Sequence, residues 1–141
     1  MIVPDIAQEG AFDKVSLSLP FFENQMDLPQ IHEKAVQSQP PFDYVLHTAS
    51  PFHHMFEDPV EDMLEPAIKG TTGILKAIKA YAPEVKRVVV TSSFAAIVNA
   101  DSHPKVYDES SWNPVTWDEA VAERSKTYRG SKVRTSDLAP S

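Results

Sequence analysis

The chain has 141 residues, no cysteine, and 13 Lys and Arg against 20 Asp and Glu, which gives a formal net charge of −7. The length allows one domain with a real core, while the absence of cysteine excludes disulfide scaffolds, zinc–cysteine sites and thiol catalysis. The acidic balance argues against nucleic-acid binding, and since no apolar run is long enough for a membrane span, we expect a cytoplasmic protein with neither kind of partner.

The first clear element is a strand within residues 42–51, where a short apolar run ends in small polar residues and a proline. Apolar residues then recur at three- and four-residue steps from about Pro59 to Ala82, which predicts one long helix. Pro66 is expected to kink this helix near its start. A second buried strand follows within residues 86–93, because its β-branched residues run continuously rather than alternating.

Strand, long helix and strand predict a βαβ crossover and hence a parallel sheet. In such sheets ligands bind beyond the carboxyl ends of the strands. The two strands end in Thr48-Ala49-Ser50 and in Thr91-Ser92-Ser93, so each places hydroxyl groups at that edge.

A third helix is predicted to start near Thr116, which can cap it together with Glu119 three residues later. This helix, or one directly after it, carries Tyr128 and Lys132. Residues 15–34 and 133–141 fit no element of a sheet domain, because neither stretch shows a sustained period.

The chain contains 4 glycines, at Gly10, Gly70, Gly73 and Gly130. They form no triplet that could cradle a phosphate, although a complete dinucleotide-binding domain carries such a loop after its first strand. Any argument for nucleotide binding therefore depends on other residues.

Tyr128 and Lys132 lie four residues apart and so share one face of a helix. A neighbouring ammonium lowers the pKa of a phenol toward a value useful for acid–base catalysis. Ser93 lies at the predicted ligand edge, where its hydroxyl can bond a substrate carbonyl. The three residues fit carbonyl reduction by a bound nicotinamide, while an exposed helix pair without function is the alternative for Tyr128 and Lys132 alone.

Five runs of the sequence, in order, resemble the extended short-chain dehydrogenase/reductase family, a part of the NAD-dependent epimerase/dehydratase superfamily. The runs are Ile2-Val-Pro-Asp5-Ile6-Ala, Val45-Leu-His-Thr-Ala-Ser-Pro-Phe52, Pro66-Ala-Ile-Lys-Gly-Thr71, Val88-Val-Val-Thr-Ser-Ser93 and Tyr128-Arg-Gly-Ser-Lys132. Within the family the chain is most similar to fungal NADPH-dependent ketone and aldehyde (methylglyoxal-type) reductases, which are related to dihydroflavonol 4-reductase. The resemblance implies an α/β fold with an incomplete doubly wound (Rossmann-type) parallel sheet.

The family's catalytic roles carry over to Ser93, Tyr128 and Lys132. The resemblance also implies cofactor-binding positions, which are Asp5 and Ile6 beside the adenine, Thr48, Ala49 and Ser50 along the ribose and nicotinamide, Thr91 and Ser92 beneath them, and Tyr128 and Lys132. The implied reaction is reduction of a small ketone or aldehyde to an alcohol. NADP is the expected cofactor, with NAD as the alternative, and the oligomeric state stays open.

The departures from the family define the expected domain organisation. Residues 1–132 form a partial NAD(P)-binding domain, residues 15–34 are an insertion foreign to the family, and residues 133–141 are a foreign tail. The glycine loop would precede Met1 and the substrate region would follow Lys132. The alternative function is therefore a catalytically inactive, truncated fragment without turnover.

Each foreign segment begins with a valine directly after a lysine, at Lys14-Val15 and at Lys132-Val133. A hypothesis that explains both is read-through of unspliced introns.

Two other site types are disfavoured. His53 and His54 lie near acidic residues but without a wider ligand set, so no metal is predicted. Ser92 and Ser93 lack the Gly-x-Ser-x-Gly elbow of a hydrolase nucleophile. His47, inside a strand, is expected to be a packed core residue.

Overall fold

The computed structural model describes residues 28–38, 42–53 and 55–136. Asp5, Ile6 and residues 15–27 of the predicted insertion lie outside this range, as do residues 137–141. The chain divides into two compact units, the first of residues 1–49 and 69–91 and the second of residues 50–68 and 92–141.

The first unit contains a two-stranded parallel sheet. Strand β1 spans Tyr44–His47 and strand β2 spans Arg87–Val90, paired from Tyr44 with Arg87 to His47 with Val90. The parallel pairing confirms the predicted crossover. Both strands are shorter than the sequence runs that predicted them, because the residues that follow each strand open into the loops of its carboxyl edge.

The long helix between the strands is also confirmed, with an irregular start. A π-helical turn spans Val60–Leu64, and helix α2 continues from it over Glu65–Tyr81. In the π turn the Glu65 N–H bonds to the Val60 carbonyl, five residues back. Pro66 lacks an N–H, and its ring crowds the carbonyl four residues earlier in a regular helix. The wider turn just before Pro66 is the local irregularity that such crowding favours.

Helix α1 spans Leu28–Ser38, so residues 28–34 are helical although the sequence predicted no element there. The helix forms because tertiary contacts compensate for its weak local pattern. Val36 is buried against residues of β1, α2 and the turn after α2. That core consists of Val36, Val45, Ile74, Ala77, Ile78 and Ala82, with Val85 and Val88 packed on it.

Two buried histidines lie beside this core. The rings of His32 and His47 meet edge to face at 6.4 Å between centroids, and His47 Nε2 lies 3.5 Å from Thr71 Oγ1. His32 Nδ1 is buried and has no hydrogen-bond partner among the described residues. It lies 2.5 Å from where the Cβ of a side chain at Gly73 would be. The prediction that His47 is a packed histidine is confirmed.

The prediction that β2 is buried on both faces is wrong. Its exposed positions alternate with half-buried ones, and Val89 is 47 % exposed. Within the described residues, apolar packing covers the Val88 face, whereas Val89 points away from that core.

A capping box starts a helix in the second unit. Thr116 caps helix α3, which spans Trp117–Ala122. Its Oγ1 accepts from the Glu119 N–H, and the Glu119 carboxylate accepts from the Thr116 N–H in return. This confirms the predicted start. Hydrogen bonds from Thr116 and Lys126 lower the pKa of Glu119 to about 2, so its carboxylate stays charged in the cap.

Helix α4 follows over Arg124–Ser136 and continues past Lys132, where the sequence pattern predicted the helix to be lost. Val133 explains the continuation, because its side chain is buried in the core of the second unit. That core also contains Leu64, Val115 and Ala120.

The described residues contain no helix long and apolar enough to cross a bilayer. They also contain no group of three or more His, Cys, Asp or Glu side chains arranged to hold a metal ion.

Gly130 lets α3 and α4 approach closely. A Cβ at this position would lie 2.4 Å from the Cβ of Ala120, whereas a Cβ at Gly70 in α2 would meet nothing within 4 Å. We expect Gly130→Ala to destabilise the protein by about 1–3 kcal/mol through this clash. Gly70→Ala, the matched control, should stabilise it by about 0.5–1 kcal/mol through helix propensity. Urea unfolding of both variants checks this, and equal shifts in the same direction would contradict the packing at Gly130.

Burial of His32 makes stability depend on pH. Desolvation lowers its pKa from the ordinary value of 6.5, so the folded chain resists a proton that the unfolded chain accepts. The free energy of unfolding should therefore fall as the pH drops below 6.5 and level off below the folded-state pKa. Unfolding in urea at a series of pH values measures this, and His32→Leu should flatten the slope. An unchanged slope in the variant would assign the effect to other groups.

Candidate active site

Tyr128 and Lys132 lie on one face of α4, as their spacing predicts. The ammonium nitrogen of Lys132 lies 5.3 Å from the centroid of the Tyr128 ring. Lys132 is 5 % exposed, while Tyr128 is half-buried. The helix thus places a cation beside a phenol that solvent and small molecules can reach.

The ammonium of Lys132 is held by Ser50. Its Nζ donates to Ser50 Oγ at 2.6 Å. Burial lowers the pKa of Lys132, because desolvation disfavours the charged form. Within the described ranges no carboxylate forms an ion pair with this ammonium. Two of its three N–H groups are therefore available to a hydroxyl-bearing ligand.

Tyr128 forms part of the wall of an open cleft. The Phe52 ring meets it edge to face at 5.0 Å between centroids, a favourable aromatic geometry. The cleft has a volume of about 510 Å³. Its lining residues are Phe52, His53, Phe56, Ala95, Arg124, Ser125, Tyr128 and Arg129.

Ser93 caps a short 3₁₀ helix, Phe94–Ala96, that packs against α4. Its Oγ accepts from the Ala95 N–H at 3.2 Å. This bond uses the oxygen as an acceptor and leaves the hydroxyl hydrogen free to donate. Ser93 and Tyr128 form no hydrogen bond with each other among the residues that the structure covers, although Ala95 lines the same cleft as Tyr128.

The other predicted cofactor residues lie in two places. In the first unit, Thr48 and Ala49 follow β1 and are exposed, and Thr91 follows β2 with its N–H bonded to the His47 carbonyl. In the second unit, the Ser92 hydroxyl is hydrogen-bonded at 2.7 Å to that of Ser136, near the end of α4.

Two contacts of this site were not predicted from the sequence. The sequence predicts Ser50 as a residue of a cofactor loop and not as a partner of Lys132. It predicts no contact between Phe52 and Tyr128. Both residues belong to the run Val45–Phe52, on which the family resemblance partly rests. The resemblance therefore indicated that this segment belongs to the site. The pairing itself spans 82 positions of sequence for Ser50 and Lys132, and no local pattern encodes such a distance.

A parallel βαβ unit is the building block of a Rossmann-type sheet. The solved structure of yeast methylglyoxal/isovaleraldehyde reductase Gre2 complexed with NADPH matches the chain with a TM-score of 0.67 and 37 % identity, over 78 % of this chain and 32 % of Gre2. This match confirms the predicted fold class, an incomplete α/β Rossmann-type fold.

Curated relatives are consistent with the structural match. The ketoreductase azaE of Aspergillus niger is 48 % identical over 94 % of this chain and 33 % of its own length. The NADPH-dependent methylglyoxal reductase GRE2 of Saccharomyces cerevisiae is 40 % identical over 93 % of this chain and 34 % of its own length. No protein-family profile matches the chain.

Over most of its own length the chain is similar to reductases of the short-chain dehydrogenase/reductase type, among them relatives named ketoreductase and NADPH-dependent methylglyoxal reductase. It spans about a third of the length of the curated relatives that it matches.

Removal of the Ser50 hydroxyl should change the titration of Lys132. In the native protein we expect its pKa below the ordinary 10.5. In Ser50→Ala the pKa should fall further, because a buried ammonium loses its acceptor. NMR titration of the lysine side-chain resonances measures both values, with exposed Lys105 as an internal control. An unchanged Lys132 pKa in the variant would contradict the hydrogen bond.

Proposed function

We propose that this chain supplies the catalytic segment of an NADPH-dependent reductase that converts a ketone or aldehyde into an alcohol. The observation that carries the proposal is the buried ammonium of Lys132 beside the accessible ring of Tyr128. The similarity to a ketoreductase and to a methylglyoxal reductase supports the same chemistry and suggests small carbonyl compounds as substrates.

The donors around Lys132 suit a nicotinamide cofactor. A ribose offers vicinal hydroxyls, and Lys132 has N–H groups beyond the one given to Ser50. Lys132 would hold that ribose, and Ser50 would fix the direction of the lysine side chain. The further cofactor contacts proposed for this chain are those of Asp5, Ile6, Thr48, Ala49, Thr91 and Ser92. Of these, Ser92 would exchange its bond to Ser136 for one to the cofactor.

NADPH supplies a hydride when it is bound. The chain's own residues supply the proton and the geometry. Tyr128 would donate its hydroxyl proton to the carbonyl oxygen, and the positive charge of Lys132 would stabilise the phenolate that remains. Ser93 would donate its free hydroxyl hydrogen to the same carbonyl oxygen and orient it. The carbonyl is reduced to the alcohol as NADPH is oxidised to NADP⁺.

A segment exchange tests this proposal. Residues 42–136 of this chain replace the matching segment of yeast GRE2, and NADPH oxidation with methylglyoxal is measured. We expect turnover in the exchange protein, and a loss of about 10²–10⁴-fold in kcat on Tyr128→Phe, because the proton donor is removed. Tyr107→Phe is the matched control, since Tyr107 bonds His103 outside the cleft.

Full activity in the Tyr128→Phe exchange protein would refute the assigned proton donor. An exchange protein that folds and binds NADPH without turnover would refute the proposed catalytic segment. The same assay on the isolated chain separates the reductase from the alternative of an inactive fragment, in which NADPH is not consumed.

A further inference from the structure

The cleft beside Tyr128 carries two arginines. Arg124 and Arg129 line it together with Tyr128 and Ser125. The four residues lie at steps of one, three and one along α4, which places them on a common side of the helix. Among the residues that the structure describes, no acidic side chain lines this cleft. Its polar wall is therefore positively charged, although the chain as a whole is acidic.

Neither arginine is neutralised by a carboxylate. Among the described residues, no Asp or Glu forms an ion pair with Arg124 or Arg129. Arg124 also lines a neighbouring cavity whose acidic residues are Glu57, Asp58, Glu61 and Asp62. Two of these carboxylates are engaged by backbone N–H groups. Asp62 accepts from the N–H groups of Glu57 and Asp58, and Asp58 accepts from those of Val60 and Glu61. These bonds direct both carboxylates to the start of the helix.

The aromatic walls of the cleft hold one arginine in place. The guanidinium carbon of Arg124 lies 4.5 Å from the centroid of the Phe56 ring. Stacking of this kind leaves the edge of the guanidinium, which carries its N–H groups, open to a planar anion. Phe52, which also lines the cleft, contacts Tyr128 and offers an apolar surface.

We propose that this cleft selects carbonyl compounds that carry a carboxylate next to an apolar group, which is the class of 2-oxo acids. The inference rests on the proposed reductase function and names its substrate class. The carboxylate binds Arg129 and Arg124 through paired N–H···O bonds. The apolar group lies against Phe52 and Phe56, and the carbonyl oxygen lies beside the Tyr128 hydroxyl. The product is the corresponding 2-hydroxy acid.

Binding without cofactor tests the inference on the full chain. The probes are phenylglyoxylate and its neutral methyl ester, and the dissociation constants are measured by NMR titration. We expect phenylglyoxylate to bind at least about tenfold more tightly than the ester, because charge-assisted bonds to arginine contribute more than neutral ones. Arg129→Gln should weaken the acid by about tenfold and leave the ester unchanged.

Two further variants keep the test decisive. Arg129→Lys retains the charge but not the paired donors, so it should recover part of the affinity. Arg87→Gln removes the same charge from β2 and should change neither dissociation constant. Equal binding of acid and ester, no binding of either, or an equal loss in Arg87→Gln would overturn the proposal.

The outcome is separable from that of the proposed function. If phenylglyoxylate binds through Arg129 but the exchange protein shows no turnover with methylglyoxal, the anion site stands and the reductase function fails. If turnover is observed while the acid and the ester bind equally, the function stands and the substrate class fails.

Discussion

The second unit is organised around one buried charge. An ammonium removed from water is costly unless its donors are satisfied, and Lys132 has a neutral hydroxyl as its acceptor rather than a carboxylate. Within the described part of the chain no carboxylate pairs with this charge, so its field acts on Tyr128. The arrangement depends on the position of α4, which Gly130 fixes by allowing contact with Ala120. Gly130 lies between Tyr128 and Lys132 in the sequence. Its packing therefore determines the electrostatic environment of these two residues.

Most of the regular structure could be predicted from local patterns. The parallel crossover, the long helix and the capped start of α3 follow from periodicity and from Thr116 and Glu119, because each depends on residues close in sequence. The errors have a tertiary cause. Helix α1 and the continuation of α4 exist because Val36 and Val133 are buried. The exposure of Val89 depends on what packs over the strand, which the strand's own sequence does not encode.

The candidate site likewise combines features that the sequence predicts with features that it does not. The spacing of Tyr128 and Lys132 is a property of one helix and could be predicted. The hydrogen bond to Ser50, the ring contact with Phe52 and the stacking of Arg124 on Phe56 join segments far apart in the chain. Arg129 lies inside the recognised motif, yet only the lining of the cleft distinguishes it from an ordinary surface residue. A spacing within one helix can be predicted from the sequence, whereas contacts between distant segments of the chain cannot.

The π turn before α2 has a consequence for the alignment of this chain with other proteins. Met63 and Leu64 are adjacent, and both are fully buried, whereas neighbours in a regular helix point about 100° apart. A π turn is equivalent to one inserted residue in an α-helix. Deleting one residue within Val60–Leu64 would restore regular bonding and leave the side chains before and after the turn on their original faces, because the wider turn already absorbs the extra residue. A single-residue gap at this turn would therefore mark the loss of the wide turn rather than a change of helix face or of loop length.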